Sequence, residues 1–394
     1  MPKYYLDLAV LDETDPIASC KLGTSAIMSL SGNNIGNFAF RHALRFIVRD
    51  LHSYSLTLYP SYQRAAQLGQ VDSTIVSCAN WLGASQADEA SNLNRARAFE
   101  ATDASTVCFA IGVQAKSGAD SVDLGPNTLR LAKALSERAK LLSVRDEMTQ
   151  NVLEAAGITN TVVTGCPSNF INGDPELGKK VAARAAELLK HVASWRDVKS
   201  LICEFSGGSA ESGRVLKHKL RLLDATPAHY VLQAPTLLPF TLRETREIPS
   251  VYKSNSPFGN EHKRLEITLR SKCIHFSSIN AWMDYARTCD LSFGMRIHGN
   301  MIPLQAGVPS VLISHDSRTS GLGSVMGIPN VSAENFTGEV SSSPRFLLET
   351  VVKTMGDYDA RRRVLAKTMV NYLSANNIAP HISLLTLAGE TSEP

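Results

Sequence analysis

The chain of 394 residues lacks the features that mark several classes of protein. It has no apolar run of about 18 residues, so the sequence predicts no membrane-spanning helix. Its first residues show no charged-then-apolar signal region, and its net charge of +3 is too small to indicate a nucleic-acid partner. We therefore expect a cytoplasmic protein that does not bind nucleic acid.

The cysteines and acidic residues also form no metal-binding pattern. The seven cysteines are scattered without a C-x-x-C pair, which argues against a structural zinc site and against a disulfide framework. Asp and Glu residues do not group with His at ligand spacing, so we expect no metal and no other cofactor. The missing G-x-G-x-x-G fingerprint argues against an NAD-binding dehydrogenase.

What the chain does have is an alternation of strand-like and helix-like segments, which predicts an α/β fold. Its length exceeds the usual size of one hydrophobic core, so two domains are expected. A long helix over Leu177–Trp195, followed by a new strand, indicates a boundary near residue 190. We predict an N-terminal domain over 1–190, a C-terminal domain over 191–375 and a tail over 376–394. Two late helices are predicted over Phe346–Met355 and Arg361–Ser374.

The most informative stretch is Cys289–Arg318. In it a short apolar strand leads into residues 294–300, GMRIHGN, and a helix is predicted over Met301–Ala306. A second buried strand, Val308–Ser314, ends in the polar residues 315–318. In open α/β sheets ligands bind at the carboxyl ends of strands, and a helix N-terminus favours anions.

This stretch therefore predicts an anion site at the junction of strand and helix. Arg296 would be a bidentate clamp, and His298 would be a proton donor or acceptor. The alternative is that both side chains are surface groups or caps.

Two earlier junctions have a similar layout. The turn Gly32–Asn37, GNNIGN, follows a predicted strand over Ala26–Ser31 and precedes an amphipathic helix. Such a turn presents backbone N–H groups to a ligand, although a simple tight turn would have the same composition. Arg145 follows another predicted strand, where it would either bind a ligand or belong with Asp146 to a local ion pair or helix cap.

Taken together, these segments resemble the polysaccharide pyruvyl transferase family. Cys166 departs from the family pattern, in which an acidic residue is more usual, and His315 stands where an aromatic residue is more usual. The resemblance rests on six short segments in the family's order: 32–37, 143–146 (SVRD), 162–167 (VVTGCP), 296–299 (RIHG), 306–309 (AGVP) and 314–318 (SHDSR).

The resemblance implies a fold of the glycosyltransferase-B type, with two Rossmann-like domains facing a cleft. The N-terminal domain would lie on the acceptor side and the C-terminal domain on the donor side. Phosphoenolpyruvate would be the donor, and pyruvate would be attached as a ketal to a sugar of a cell-surface glycan such as an exopolysaccharide. The acceptor would be an oligosaccharide, a polysaccharide or a lipid-linked precursor; a lipid-linked acceptor would bring the protein to the inner face of the membrane. The oligomeric state stays open.

Residue roles follow from the same resemblance and from the chemistry. Arg296 and His298 match the family's donor-binding Arg-x-His, with His298 as acid and base or as donor to the leaving phosphate. Asp316 is a candidate base for the acceptor hydroxyl, with a capping role as its alternative. The other predicted substrate-binding residues are Arg145, Gly32, Asn33, Asn34, Gly36, Asn37, Gly294, Gly299, Asn300, His315 and Arg318.

Two other functions remain open at this point. A glycosyltransferase of the same fold would use a sugar nucleotide, often with a Glu on the ribose; Glu334 lies in a region that could supply one, but nothing in the sequence marks it as special. A non-catalytic component of polysaccharide assembly would be expected to lack the Arg or the His of the central motif, and both are present.

Overall fold

The computed structural model describes residues 2–6, 22–78, 80–83, 85–114, 122–203, 210–314, 317–336 and 343–390. The strands are β1 Lys3–Leu6, β2 Ser55–Thr57, β3 Ser73–Ser77, β4 Leu82–Gly83, β5 Ser105–Phe109, β6 Val113–Gln114, β7 Leu142–Val144, β8 Thr161–Val163, β9 Ser200–Cys203, β10 His229–Val231, β11 Cys273–Ile274, β12 Leu291–Gly294, β13 Ser310–Ser314 and β14 Asn330–Ser332.

The helices alternate with these strands. They are α1 Thr24–Ser31, α2 Asn37–Ala43, α3 Tyr59–Gln67, α4 Gln86–Glu100, α5 Pro126–Arg138, α6 Glu147–Ala155, α7 Leu177–Leu189, α8 Ala210–Ala225, α9 Leu238–Thr241, α10 Ser250–Ser254, α11 His262–Lys272, α12 Ile279–Arg287, α13 Ile297–Gln305, α14 Ser317–Met326, α15 Ala333–Phe336, α16 Arg345–Ala375 and α17 Ile382–Ala388. Short 3-10 helices lie at Leu44–Phe46, Leu51–Ser53, Pro167–Phe170 and Trp195–Asp197.

The first sheet is parallel and has the order β2-β1-β3-β5. In its register Tyr5 lies opposite Leu56 on one side and Ile75 on the other. The pair β7–β8 continues the sheet beyond β5, because Ile111 bridges Val144. The central strands β3 and β5 are buried over most of their length, which is why their sequences are apolar and β-branched on both faces.

The second sheet is also parallel, in the order β11-β10-β9-β12-β13-β14. Its first strand in sequence, β9, lies inside the sheet, with β10 on one side and β12 on the other. The strand order therefore reverses between β9 and β12. Such a switch point leaves a crevice outside the carboxyl ends of the two strands, where α/β proteins bind ligands.

The long helix α16 connects the two sheets. It packs on α7, and near its end the Tyr372 hydroxyl donates to the Cys108 carbonyl oxygen in the first sheet at 2.5 Å. One contiguous hydrophobic cluster contains side chains from both sheets, such as Ile75 and Phe109 from the first and Leu201 from the second. The two α/β units are thus packed into one body.

A buried arginine ties α16 to the segment between the sheets. The Arg362 side chain is 1% exposed, and its guanidinium donates to the carbonyl oxygens of Asn169 and Asp174, both at 2.8 Å. It also donates to the carbonyl of Asn172. Since these carbonyls belong to the connector after β8, Arg362 fixes α16 against the connector.

The predicted fold class is confirmed: the protein is an α/β protein of two Rossmann-like units, each built on a parallel sheet. The domain boundaries at 190 and 375 stay predictions. The first sheet ends at Val163 and the second begins at Ser200. Within residues 376–394, predicted as a tail, α17 buries Leu384. Among the helices of the described ranges, none is both long and apolar enough to cross a membrane.

Three predicted elements, one strand and two helices, were wrong. Residues 26–31 are not a strand but part of helix α1, which ends at Gly32 in the left-handed conformation with φ of 60°. A short apolar run does not distinguish a strand from a buried helix, so only the glycine could have indicated the helix end. The two late helices are a single helix, α16, because packing on both sides of Gly356 outweighs the roughly 1 kcal/mol that a mid-helix glycine costs.

Candidate active site at the facing sheet edges

The central motif lies at the switch point of the second sheet. Strand β12 ends at Gly294, and helix α13 begins with Arg296 as its N-cap residue, in the extended conformation. A Cβ atom at position 294 would lie 2.3 Å from the carbonyl oxygen of Cys203, the last residue of β9. Only glycine allows the two strand ends to approach so closely, and this places Arg296 and His298 at the crevice.

The first turn of α13 is held by a neighbouring thiol. Pro303 has no backbone N–H, so the carbonyl of Gly299 lacks its usual partner four residues later. The Cys203 thiol donates to this carbonyl instead, with 2.6 Å between sulfur and oxygen. A Cβ atom at Gly299 would lie 2.7 Å from the Cys203 Cβ atom, so glycine is needed here too. Helix α13 is therefore anchored to β9 at the turn that contains His298.

Asn300, a predicted binding residue, stabilises the same turn. Its Nδ2 donates to the carbonyl oxygens of Gly294 at 2.8 Å and Arg296 at 2.9 Å. These bonds close the loop between β12 and α13. The buried Oδ1 atom of Asn300 has no hydrogen-bond partner among the described residues.

The Gly32–Asn37 turn of the first unit packs against this helix. The Ile35 N–H donates to the Gln233 carbonyl, after β10, at 2.9 Å. A Cβ atom at Gly36 would lie 3.0 Å from the His298 Cβ atom, and the Phe40 and His298 ring centroids are 5.5 Å apart. The structure thus brings this predicted turn to His298.

The polar residues of the turn bond mainly within it. Gly32 and Asn33 both have positive φ angles, of 60° and 62°. The Asn34 Oδ1 atom accepts from the Gly36 N–H at 3.1 Å, and Asn37 Nδ2 donates to the Ser31 carbonyl at 2.9 Å. These asparagines therefore shape the turn that Gly36 presents to the second unit.

Arg145 reaches the site from the carboxyl end of β7. Its side chain is buried, its Nε donates to the Ala110 carbonyl at 2.9 Å, and Nη1 donates to Asn80 Oδ1 at 2.5 Å. Ala110 has a φ of 53°, a left-handed conformation that costs an alanine about 1 kcal/mol. Asp146, the predicted alternative partner of Arg145, caps helix α6 by accepting from the Thr149 N–H at 2.8 Å.

Cys166 is a site residue for which no role was predicted from the sequence. It follows β8, is fully buried, and its Sγ lies 3.4 Å from His298 Nε2. The Ser168 hydroxyl donates to the same sulfur at 3.1 Å. The two partners are 132 residues apart in the chain, so no local pattern could have connected them.

The electrostatics of the site keep His298 neutral. Burial, followed by the positive charges of Arg145 and Arg296, lowers the pKa of His298 from 6.5 to about 3. The Arg296 side chain is half-buried, and its Nε is a buried donor without a hydrogen-bond partner in the described structure. Two cations and a neutral imidazole thus meet where both sheets contribute residues, an arrangement that suits an anion.

Three predicted site positions cannot be placed in this geometry. His315 and Asp316 lie outside the described residues. Arg318 lies in the first turn of α14, directly after them. Their predicted roles stay predictions, and Glu334, in α15, has no assigned role in the site.

A family comparison now decides the relationship. The model of the family described as polysaccharide pyruvyl transferase matches residues 34–317, more than half of the chain. The chain belongs to this family. The matched range contains Gly36, Arg145, Arg296 and His298, so the contacts around His298 join parts of the chain that the family model covers.

Structural similarity is more distant. A UDP-N-acetylglucosamine 2-epimerase from Rickettsia bellii shares 11% identity, covers 96% of this chain and 97% of its own, and has a TM-score of 0.45. The S. aureus MnaA–UDP co-structure shares 13% over 80% and 78%, with a TM-score of 0.37. UGT2 of Phytolacca americana, complexed with UDP-2fluoro-glucose and pterostilbene, shares 9% over 94% of both chains, with a TM-score of 0.37. A search of curated proteins found no match.

Proposed function

We propose that this polysaccharide pyruvyl transferase family member transfers pyruvate from phosphoenolpyruvate to a sugar, as a ketal across two hydroxyls. The observation that supports this proposal is the meeting of Arg145 and Arg296, from the two sheets, at the neutral imidazole of His298. No carboxylate of the described residues is among the charges that shift His298. The site is therefore electropositive before any ligand binds.

Phosphoenolpyruvate suits such a site because its carboxylate and phosphate lie close together and both need neutralising. Arg296 has an unused Nε donor, and a guanidinium binds a carboxylate or a phosphate through two parallel N–H groups. Arg145 is pre-oriented by Ala110 and Asn80, so little side-chain entropy is lost when it meets an anion. We assign the donor to these two arginines, without a metal or cofactor.

The reaction moves protons in a defined order. Protonation of the donor's methylene carbon leaves an oxocarbenium-like centre at C2, and a sugar hydroxyl attacks this carbon and releases its proton. The C2–O bond to phosphate then breaks, phosphate leaves with the bonding electron pair, and a second hydroxyl closes the ketal and loses its proton. The bound anion offsets the arginine charges, so we expect it to raise the pKa of His298 towards the neutral pH at which a histidine can transfer a proton.

His298 is proposed to bind the phosphate as it leaves, and Asp316 to accept a proton from the acceptor. The acceptor is a sugar of a cell-surface polysaccharide or of its precursor, bound from the side of the first unit. The reaction would take place in the cytoplasm, at the inner face of the membrane where the acceptor is lipid-linked.

The test is a thermal unfolding titration with phosphoenolpyruvate. At 100-fold its dissociation constant a ligand stabilises the native state by about 2.7 kcal/mol, which is a readily measured shift in Tm. We expect this shift in the wild type and its loss in Arg296→Ala. Arg287→Ala is a matched control, because it removes the same charge from an exposed position, where Arg287 pairs with Asp284, and it should keep the shift.

A different result would overturn the proposal. If phosphoenolpyruvate shifts neither protein while a sugar nucleotide shifts the wild type, the function is glycosyl transfer on the same fold. If Arg296→Ala keeps the full shift, the donor binds elsewhere.

A further inference from the structure

The ring of His298 is held on one side by a thiol. Cys166 and His298 come from different units, and their side chains are 0% and 4% exposed as residues. With 3.4 Å between Sγ and Nε2, the two atoms are within hydrogen-bond distance for sulfur. Cys166 is fully buried and lies against His298, so we expect its effect on the reaction to act through His298.

The contact of Ser168 with the same sulfur indicates which atom donates in the bond between Cys166 and His298. Its hydroxyl, also fully buried, donates to the Cys166 sulfur at 3.1 Å. The sulfur thus already accepts a hydrogen bond, and its own proton remains available for Nε2. In a neutral imidazole one nitrogen accepts and the other carries the proton. If the thiol donates to Nε2, the ring proton is on Nδ1.

We propose that Cys166 is a positioning residue for His298, whose thiol donates to Nε2 and holds the imidazole in the tautomer with its proton on Nδ1. The chain of donors runs from the Ser168 hydroxyl through the Cys166 thiol to the ring. His298 then offers an N–H donor through Nδ1. The consequence for catalysis rests on the proposed function, in which that donor binds the phosphate of phosphoenolpyruvate.

The surroundings of the ring agree with a neutral donor. Phe40 packs against it from α2, and the charged groups that act on it are Arg145 from the end of β7 and Arg296 from the start of α13. Both charges oppose a second ring proton. In the described part of the chain no carboxylate acts on the ring to favour that proton. A thiol can fix the tautomer without adding a negative charge, whereas an aspartate at the same position would stabilise the imidazolium.

The test reads the tautomer directly in the protein without ligand. Nitrogen-15 NMR of His-labelled protein between pH 5 and 8, with His298→Asn to assign the signal, distinguishes the two neutral tautomers and the imidazolium. We expect the Nδ1–H pattern in the wild type and in Cys166→Ser, because a hydroxyl also donates. Cys166→Ala should move the population towards Nε2–H, and Cys166→Asp should give the doubly protonated ring over part of this pH range.

A matched control distinguishes an effect on the His298 tautomer from a general effect of removing a buried thiol. Cys289 is another buried cysteine, whose thiol donates to the Tyr285 carbonyl at 3.8 Å, and since His298 is not among its hydrogen-bond partners, Cys289→Ala should leave the His298 signals unchanged. Phosphoenolpyruvate affinity, from the same thermal titration, should fall about tenfold in Cys166→Ala and change less than about threefold in Cys166→Ser.

The outcomes are distinguishable. An Nε2–H or imidazolium signal in the wild type, or an unchanged Nδ1–H signal in a folded Cys166→Ala protein, overturns the role of Cys166. A wild type that shows the expected tautomer but does not bind phosphoenolpyruvate keeps that role and overturns the proposed function.

Discussion

The buried imidazole of His298 should make the stability of the protein depend on pH in a way that one substitution removes. Burial and the two arginine charges lower its pKa from 6.5 to about 3 in the folded state. At a pH between these two pKa values, the histidine is protonated in the unfolded chain and neutral in the folded protein. Stability is therefore complete above the unfolded-state pKa and is lost as the pH falls towards the folded-state pKa.

The size of the effect follows from linkage. Between pH 7 and pH 5 this one group should cost the wild type about 1.9 kcal/mol of unfolding free energy. Since pH 5 is well above the folded-state pKa, the loss in this interval is set almost entirely by the unfolded chain. In His298→Asn the ring is absent and so is this part of the pH dependence.

The assay is urea unfolding of both proteins at pH 7 and at pH 5. The absolute stability of His298→Asn does not matter, because the change between the two pH values is compared between the two proteins, and the contributions of the other titrating groups cancel in that comparison. His262→Asn, which removes an exposed histidine at the start of α11, should retain the wild-type change. If wild type and His298→Asn lose the same free energy to within about 0.5 kcal/mol, the ring is not held neutral and the electrostatic account of the site fails.

Two further substitutions test the anchoring of the site. Arg362→Ala should lower the free energy of unfolding in urea by at least about 3 kcal/mol, because three carbonyls of the connector lose their donor. Arg363→Ala, which changes the exposed neighbour, should lower it by no more than about 0.5 kcal/mol. Equal effects of the two substitutions would refute the role of the buried guanidinium. Cys203→Ala should cost about 1–2 kcal/mol by leaving the Gly299 carbonyl unbonded, and less in a Pro303→Ala background, where the restored backbone N–H replaces the thiol. Strictly additive effects would show that the thiol does not substitute for the missing helix bond.

The site motif could be found from the sequence because the residues that end its strand and its helix lie next to it in the chain. Gly294 and Gly307 mark the end of β12 and the end of α13, and the apolar runs on either side are the buried strands β12 and β13. The start of the helix was less predictable. Gly299 and Pro303 are poor helix formers, so propensity placed the start at Met301, whereas the helix begins at Ile297.

What the sequence could not show depends on partners distant in the chain. The Cys203 thiol that replaces a backbone donor comes from another strand. Cys166 is an ordinary buried cysteine until the two units bring it to His298. Arg362 lies in a run of three arginines, a composition typical of an exposed helix face, yet it is almost completely buried. Its role depends on three carbonyls that only the folded connector presents.

The path of α16 has a consequence for the order of folding. The ribosome makes the first sheet, with Cys108 at its centre, long before it makes Tyr372, whose hydroxyl bonds the Cys108 carbonyl. The connector carbonyls of Asn169 and Asp174 likewise lack their donor until Arg362 has been synthesised. The first unit therefore remains incomplete during most of translation, and we expect it to expose apolar surface that α16 later covers. Arg145 and His298 belong to opposite units that α16 ties together, so we expect the site to be fully held only after α16 has been synthesised.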